Sequence, residues 1–209
     1  MEKIKKFIKS HLDFGFYPII IFPIISAILI YPCAKFLSPN FGYENGVIEN
    51  VQMSVLALCF LFAIFAKTSK KFFYFIGLII FLLAAREINY GRTIFFPIPG
   101  EVNAYYSWKE IKYGWLVNPL IGIYIAGSVV YFIFGKVYNQ MWDIIKNIKF
   151  PVWNFLFLFL GVILGLYAEK TGQSFVTEEV CELLFYVSLM SIIWLYAFNK
   201  KFFIEENSK

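Results

Sequence analysis

Arg86 and Glu87 end an apolar run that begins at residue 72, and an arginine and a carboxylate in that setting have few cheap ways to be satisfied. Glu49, Gln52 and Glu182 stand in similar positions inside other apolar runs, while Asn89 and Arg92 follow Arg86 within one short segment. These residue types have definite chemistry. A carboxylate in such a place can act as general base, and a pair of them can ligate a cation. A guanidinium presents a planar fork that takes a carboxylate or phosphate through two parallel hydrogen bonds, which an ammonium cannot match. The chain carries 17 lysines and only two arginines, and both arginines lie here, six residues apart. The chemistry therefore reads as Glu87 and Glu182 acting as acid or base, with Arg86, Arg92, Gln52, Glu49 and Asn89 holding a substrate. Glu178 and Glu182 are four apart and share a helical face, a spacing that Mg²⁺ or Ca²⁺ can use.

The elements that position these groups follow from composition. Of 209 residues, 60% are hydrophobic and 22% aromatic, against 16% charged. That is too apolar for one soluble core, and the apolar residues fall in blocks matching the ~20 residues a helix needs to cross ~30 Å of hydrocarbon. We expect an all-α, polytopic transmembrane bundle forming a single domain, with six spans near 16–37, 48–66, 72–90, 117–135, 151–168 and 179–198. Pro18, Pro23 and Pro32 predict a kink in the first. That first span is read as uncleaved, because it is too long for a signal peptide and no small-residue cleavage site follows. Ahead of it, residues 1–15 place Ile4, Phe7, Ile8 and Leu12 opposite lysines, the pattern of an interfacial amphipathic helix.

Orientation follows from the loops. With the N-terminus inside, 13 of the 19 basic residues fall on the inner side, and each inner loop is richer in them than its neighbours. That reading gives an N-in, C-in protein of a bacterial inner membrane. The net charge of +5 then serves topology and not nucleic-acid binding. Measured from the inner lysines at ~1.5 Å per residue, Arg86, Glu87, Gln52, Glu49 and Glu182 all stand roughly 22–27 Å up their helices. Three helices thus bring polar groups to one level, just inside the outer boundary, where charge is costly and asks for a partner.

Other features have simpler readings. Thr177 as a helix cap explains Glu178 and Glu179 in a first turn, and Glu49 near a helix start has a similar excuse. Gly161 and Gly165 form a GxxxG, which lets two helices approach closely within the bundle or between copies in a homo-oligomer. Cys33 and Cys181 fall near one membrane face, where a disulfide is conceivable. His11 reads as an interfacial bystander. The long connection 91–118 is turn-rich around Pro97, Pro99 and Gly100; after it, Trp108, Ile111 and Trp115 suit one face of a short helix, either an interface anchor or a lid.

The run Arg86-Glu87-Ile88-Asn89-Tyr90-Gly91-Arg92-Thr93-Ile94-Phe95 resembles a signature in uncharacterised bacterial polytopic membrane proteins. In that signature an acidic pair is followed by Ser, Trp, Gly, Gln, Arg and an apolar pair. Arg86 replaces the first acid here, and the likeness spans about ten residues; it implies a site and no particular activity. Membrane proteases of the prenyl-processing type and acid-phosphatase-like lipid phosphatases need intramembrane histidines that this chain lacks. The Asp-rich motif of CDP-alcohol phosphotransferases is absent too, since the only aspartates are Asp13 and Asp143. Three functions stay open: binding or modifying a lipid or lipid-linked, phosphate-bearing headgroup at the outer leaflet; small-molecule capture, since the size and span number look like the substrate-binding subunits of vitamin transporters; or a structural or assembly role with the charges as internal pairs. A divalent cation would suit the first.

Overall fold

The computed structural model describes residues 11–199 and residue 202. The chain is a multi-pass helical membrane protein. Helices α1 (Ile21–Phe36), α2 (Val47–Ile64), α3 (Lys70–Glu87), α4 (Arg92–Phe95), α5 (Val117–Phe134), α6 (Val137–Asn147), α7 (Val152–Thr171) and α8 (Phe175–Phe198) follow one another, with a long connection only between α4 and α5. Five segments are long and apolar enough to cross a membrane by themselves. Among the described residues α3 and the Asn89–Phe95 segment, bent from it by 58°, pass the same test only together, which makes six spans if the bent pair is counted as one.

The boundaries have local causes. A 3-10 turn, Pro18–Ile20, leads into α1; Pro23 sits in the first turn of α1, where a missing N–H costs nothing. The helix runs on through Pro32, which removes one donor from its ladder. The expected span ending at 90 stops at Glu87, because Asn89, Tyr90 and Gly91 in succession adopt positive φ, a conformation no right-handed helix accepts. Gly172, at φ 64°, ends α7 in the left-handed conformation that glycine takes without strain. The last span begins earlier than Thr177 suggests. Ser174 is its cap, its hydroxyl accepting the Thr177 N–H at 3.3 Å, so Thr177 and Glu178 lie in the first turn and Glu179 beyond it.

The expectation of an amphipathic helix over residues 1–15 rests mainly on residues 1–10, which lie outside the described residues. At its near end Leu12 and Asp13 are extended, pairing in parallel with Phe150 and Pro151. Among the described residues α6 is amphipathic: Val137 and Ile144 are buried while Asn139, Asp143 and Lys146 are exposed. The helix anticipated around Trp108, Ile111 and Trp115 is instead a run of turns. Tyr113 has φ 67°, and Gly114 presses so closely on the Trp108 carbonyl that no side chain fits.

α8 is the axis of the bundle. Leu184, Leu195 and Ala197 are fully buried, and α1, α2 and α7 pack around it. Gly161 is where α7 approaches closest: a Cβ there would lie 2.6 Å from the Phe185 backbone N. The glycine pair thus does its packing inside the bundle. Asn154, fully buried on α7, donates to Ser191 Oγ of α8 at 2.8 Å, a polar tie of the kind that holds helices together in lipid. α3 packs on α2 and keeps a wider distance from α8. α5 buries no residue and leans on α3 through Tyr124, whose hydroxyl donates to the Leu78 carbonyl at 2.9 Å.

Candidate functional site

The connections sort to two ends of the bundle. At one, Lys67 N–H donates to the Ala197 carbonyl at 2.8 Å and the Phe72 N–H donates to Gln140 Oε1 at 3.1 Å, gathering the lysine-rich segments 67–71 and 136–149. The polar cluster lies at the other, where α2 and α8 begin and α3 ends. Helix spacing sets which groups meet there. Gln52 stands one turn into α2, fully buried, and its Nε2 donates to both the Glu179 carbonyl (2.8 Å) and Glu179 Oε2 (2.9 Å) on α8. Gln52 Oε1 is buried without a hydrogen-bond partner among the described residues. One turn further along α8 from Glu182, Tyr186 donates its hydroxyl to Glu87 Oε1 at 2.6 Å, spanning the wider distance between α8 and α3.

Glu49, Glu87, Glu179 and Glu182 are close enough to act on one another electrostatically, and Arg86 acts on Glu182. Three of these carboxylates accept a hydrogen bond from a neutral donor: Glu49 from the Asn45 N–H, Glu87 from Tyr186 and Glu179 from Gln52. Glu182 accepts none among the described residues. It lines a cleft of about 260 Å³ together with Arg86, Glu169, Tyr186, Gly161 and Gly165. The two glycines matter because any side chain on them would fill the cleft or push α7 away. Arg86 is exposed on its wall. Chemically, the cleft offers a guanidinium for an anion, an open carboxylate opposite, and a phenol oriented by a second carboxylate behind it.

Arg92 and Asn89 do not reach this cleft. The positive-φ run carries them past α3 into the long connection, where Arg92 acts on Tyr105 alongside Glu44 and Glu49. Arg92 Nε is buried with no hydrogen-bond partner among the described residues. Around it the connection folds into a hairpin, with Ile98 N–H donating to the Ala104 carbonyl at 2.9 Å and Tyr106 N–H to the Phe96 carbonyl at 3.1 Å. Asn103 accepts the Glu44 N–H at 3.1 Å, Tyr105 donates to the Glu44 carbonyl at 3.1 Å, and Asn45 donates to the Thr93 carbonyl. Partial burial raises the Tyr105 phenol above its ordinary range and keeps it a donor here. The segment is thus clasped to the turn before α2.

Sequence reasoning assembled Glu49, Gln52, Glu87, Glu182 and Arg86 at one level, and the structure brings them together between α2, α3 and α8. It missed Glu179 and Tyr186. Glu179 carries a visible signal once the cap is placed at Ser174, since it then falls in the second turn and outside the dipole's reach. Tyr186 lies four residues after Glu182 on the same face, a spacing that was open to inspection. Glu178 sits in the first turn of α8; among the described residues no three His, Cys, Asp or Glu side chains gather as a metal ligand set. Cys33, Cys59 and Cys181 are free thiols. Cys181 faces Gly165 of α7 while Cys33 lines an apolar cavity toward α2, so the two lie on different sides of α8. No protein-family model, curated protein or solved structure matches the chain.

Proposed function

We propose that this protein binds or modifies a lipid or lipid-linked headgroup bearing a phosphate, at the outer leaflet of a bacterial inner membrane. The observation that carries the reading is the cleft that Arg86 shares with Glu182, a half-buried carboxylate with no protein donor among the described residues. Arg86 holds the phosphate through its fork. Glu182 lacks a protein donor, so the headgroup carries a hydroxyl or ammonium group beside its phosphate. In a reaction, Glu182 takes the proton of a hydroxyl as it attacks the phosphorus, the bond from phosphorus to the departing oxygen breaks and that oxygen takes up the proton, while Arg86 stabilises the charge on the phosphoryl oxygens. A divalent cation between Glu182 and the phosphate is compatible with the same geometry.

The outer-leaflet assignment rests on the lysine-rich end being cytoplasmic, with both termini inside. An Asn139→Cys variant should react with an impermeant maleimide only after the inner face is opened; labelling in intact cells overturns the orientation. For the headgroup, the protein is purified in mild detergent and co-purifying lipids are identified by mass spectrometry. A phosphate lipid should be present in the wild type and depleted at least tenfold in Arg86→Ala. Equal occupancy in the variant refutes the reading. An assembly role has one observation in its favour: the Gln52–Glu179 and Glu87–Tyr186 bonds tie α2 and α3 to α8 as structural polar contacts do. It leaves Glu182 and the cleft without a purpose.

A further inference from the structure

We propose that the lipid whose phosphate Arg86 holds lays a hydrocarbon chain along one face of α8, in the gap that α3 leaves over it, bordered by α7 at the polar end and by α6 at the apolar end. The inference rests on the headgroup reading and adds where the rest of the molecule goes. At ~100° per residue, Glu182, Tyr186, Leu189, Ile193 and Tyr196 fall on one narrow stripe of α8. The first two belong to the polar cleft. The other three line a second cavity of about 190 Å³, walled on the far side by Phe73 and Ile76 of α3 and floored by Ile144 of α6. The two cavities therefore follow one another down a single helix face, charged at one end and wholly apolar at the other. α3 repeats the pattern, since Arg86 and Phe72, which lines the apolar cavity, lie about 40° apart around it and roughly 21 Å along the axis.

The gap has a cause in the packing. Gly161 lets α7 seat against Phe185 of α8, while α3 is committed to α2 and meets α8 chiefly through the reach of Tyr186. From Glu182 to Ile193 is roughly 16 Å, the span of a long alkyl chain. A larger cavity, about 550 Å³, is lined by Val180, Leu183, Val187 and Met190 on a different face of α8, with α1 and α2 opposite and no charged residue in its wall. A chain attached to a phosphate at Arg86 would have to cross α8 to enter it. Bilayer hydrocarbon is as apolar as the groove, so the groove confers position and not much affinity. It selects a phosphate that arrives tethered to a chain at the right depth.

The test uses the full-length protein in lipid nanodiscs and a long-chain alkyl phosphate carrying a mid-chain diazirine. Photolysis and peptide mapping should place the crosslinks on Leu189, Ile192, Ile193 or Ile76, and Arg86→Ala should reduce them at least tenfold. Ile193→Trp, which fills the groove below the polar cleft, should move or abolish the chain crosslink while Arg86-dependent retention of the lipid persists. Arg86-dependent crosslinks at Val187 or Met190, or spread around all faces, overturn the groove and leave the headgroup reading standing. Crosslinks that are the same in Arg86→Ala, or the same with the corresponding alkyl alcohol, overturn both.

Discussion

Replacing Tyr186 with Phe and Glu87 with Gln separates a hydrogen bond from a charge at one contact. The Tyr186 hydroxyl donates to Glu87 Oε1 at 2.6 Å, and Tyr186 is only 4% exposed. Phe keeps the ring and removes the donor, leaving a carboxylate oxygen without a partner among other carboxylates. Bonds to charged groups contribute about 1.5–3 kcal/mol in water-soluble proteins, whereas interhelical bonds in membranes average about 0.6 and reach about 1.7. The short distance and the ionic acceptor place this one near the upper membrane value, so Tyr186→Phe should cost ~1–2 kcal/mol. For a chain of this size that is a fall of roughly 2–8 °C in Tm. Glu87→Gln retains an acceptor for the same hydroxyl and removes one negative charge from the neighbourhood of Glu49, Glu179 and Glu182. Its stability should therefore stay within about 0.5 kcal/mol of the parent, or rise. Thermal unfolding of both variants in one detergent decides the matter. A loss of about 3–5 kcal/mol in Glu87→Gln would mean that the charge balances a buried arginine, and the assignment of Glu87 to a neutral donor would be refuted.

Gly161→Leu should lower stability by at least ~1–3 kcal/mol, because its Cβ would meet the backbone of Phe185 at 2.6 Å and only movement of α7 can relieve that; an unchanged melting curve would show that α7 is not seated there. Glu110 behaves differently, as an exposed carboxylate whose pKa is lowered by the Ser107 hydroxyl and then by the Ser107 N–H, which it accepts at 2.7 Å. A depressed carboxyl contributes stability present above its unfolded pKa and lost as pH falls through the folded one, so amide protection in the 107–110 turn, taken relative to the intrinsic exchange rate at each pH, should fall on acidification below about pH 4 and stay constant between pH 6 and 8.

The spans were legible because lipid leaves a helix no choice about its composition, and the level shared by Glu49, Gln52, Arg86, Glu87 and Glu182 followed from counting residues up each one. Direction around the helix was harder. Arg86 and Arg92 look like a pair in sequence, yet three consecutive positive-φ residues, Asn89, Tyr90 and Gly91, turn the chain so that one guanidinium faces the cleft and the other the clasp over α2. Only Gly91 announces that conformation by its type. α6 was missed because its segment was read for lysines and loop polarity, although Val137, Met141 and Ile144 repeat at helical spacing. The clasp itself depends on side chain-to-backbone bonds from Asn45, Asn103 and Tyr105, which have no periodicity to read.

The imbalance of charge argues for a ligand more firmly than any single contact. Among the described residues four carboxylates gather at the start of α8, and one guanidinium, Arg86, reaches them there, since Arg92 is spent on the Glu44–Tyr105 side. A purely structural set of internal ion pairs would need the numbers to match. The protein answers with neutral donors instead, and it has one for each of Glu49, Glu87 and Glu179. Glu182, which is half-buried, has no such donor among the described residues, as is also true of the exposed Glu169 at the same cleft, and it borders open space beside the guanidinium. Tyr186, one turn further on the same face, could not serve it because Glu87 already holds the phenol. A group supplied from outside, anionic toward Arg86 and donating toward Glu182, completes the arrangement that the protein leaves unfinished.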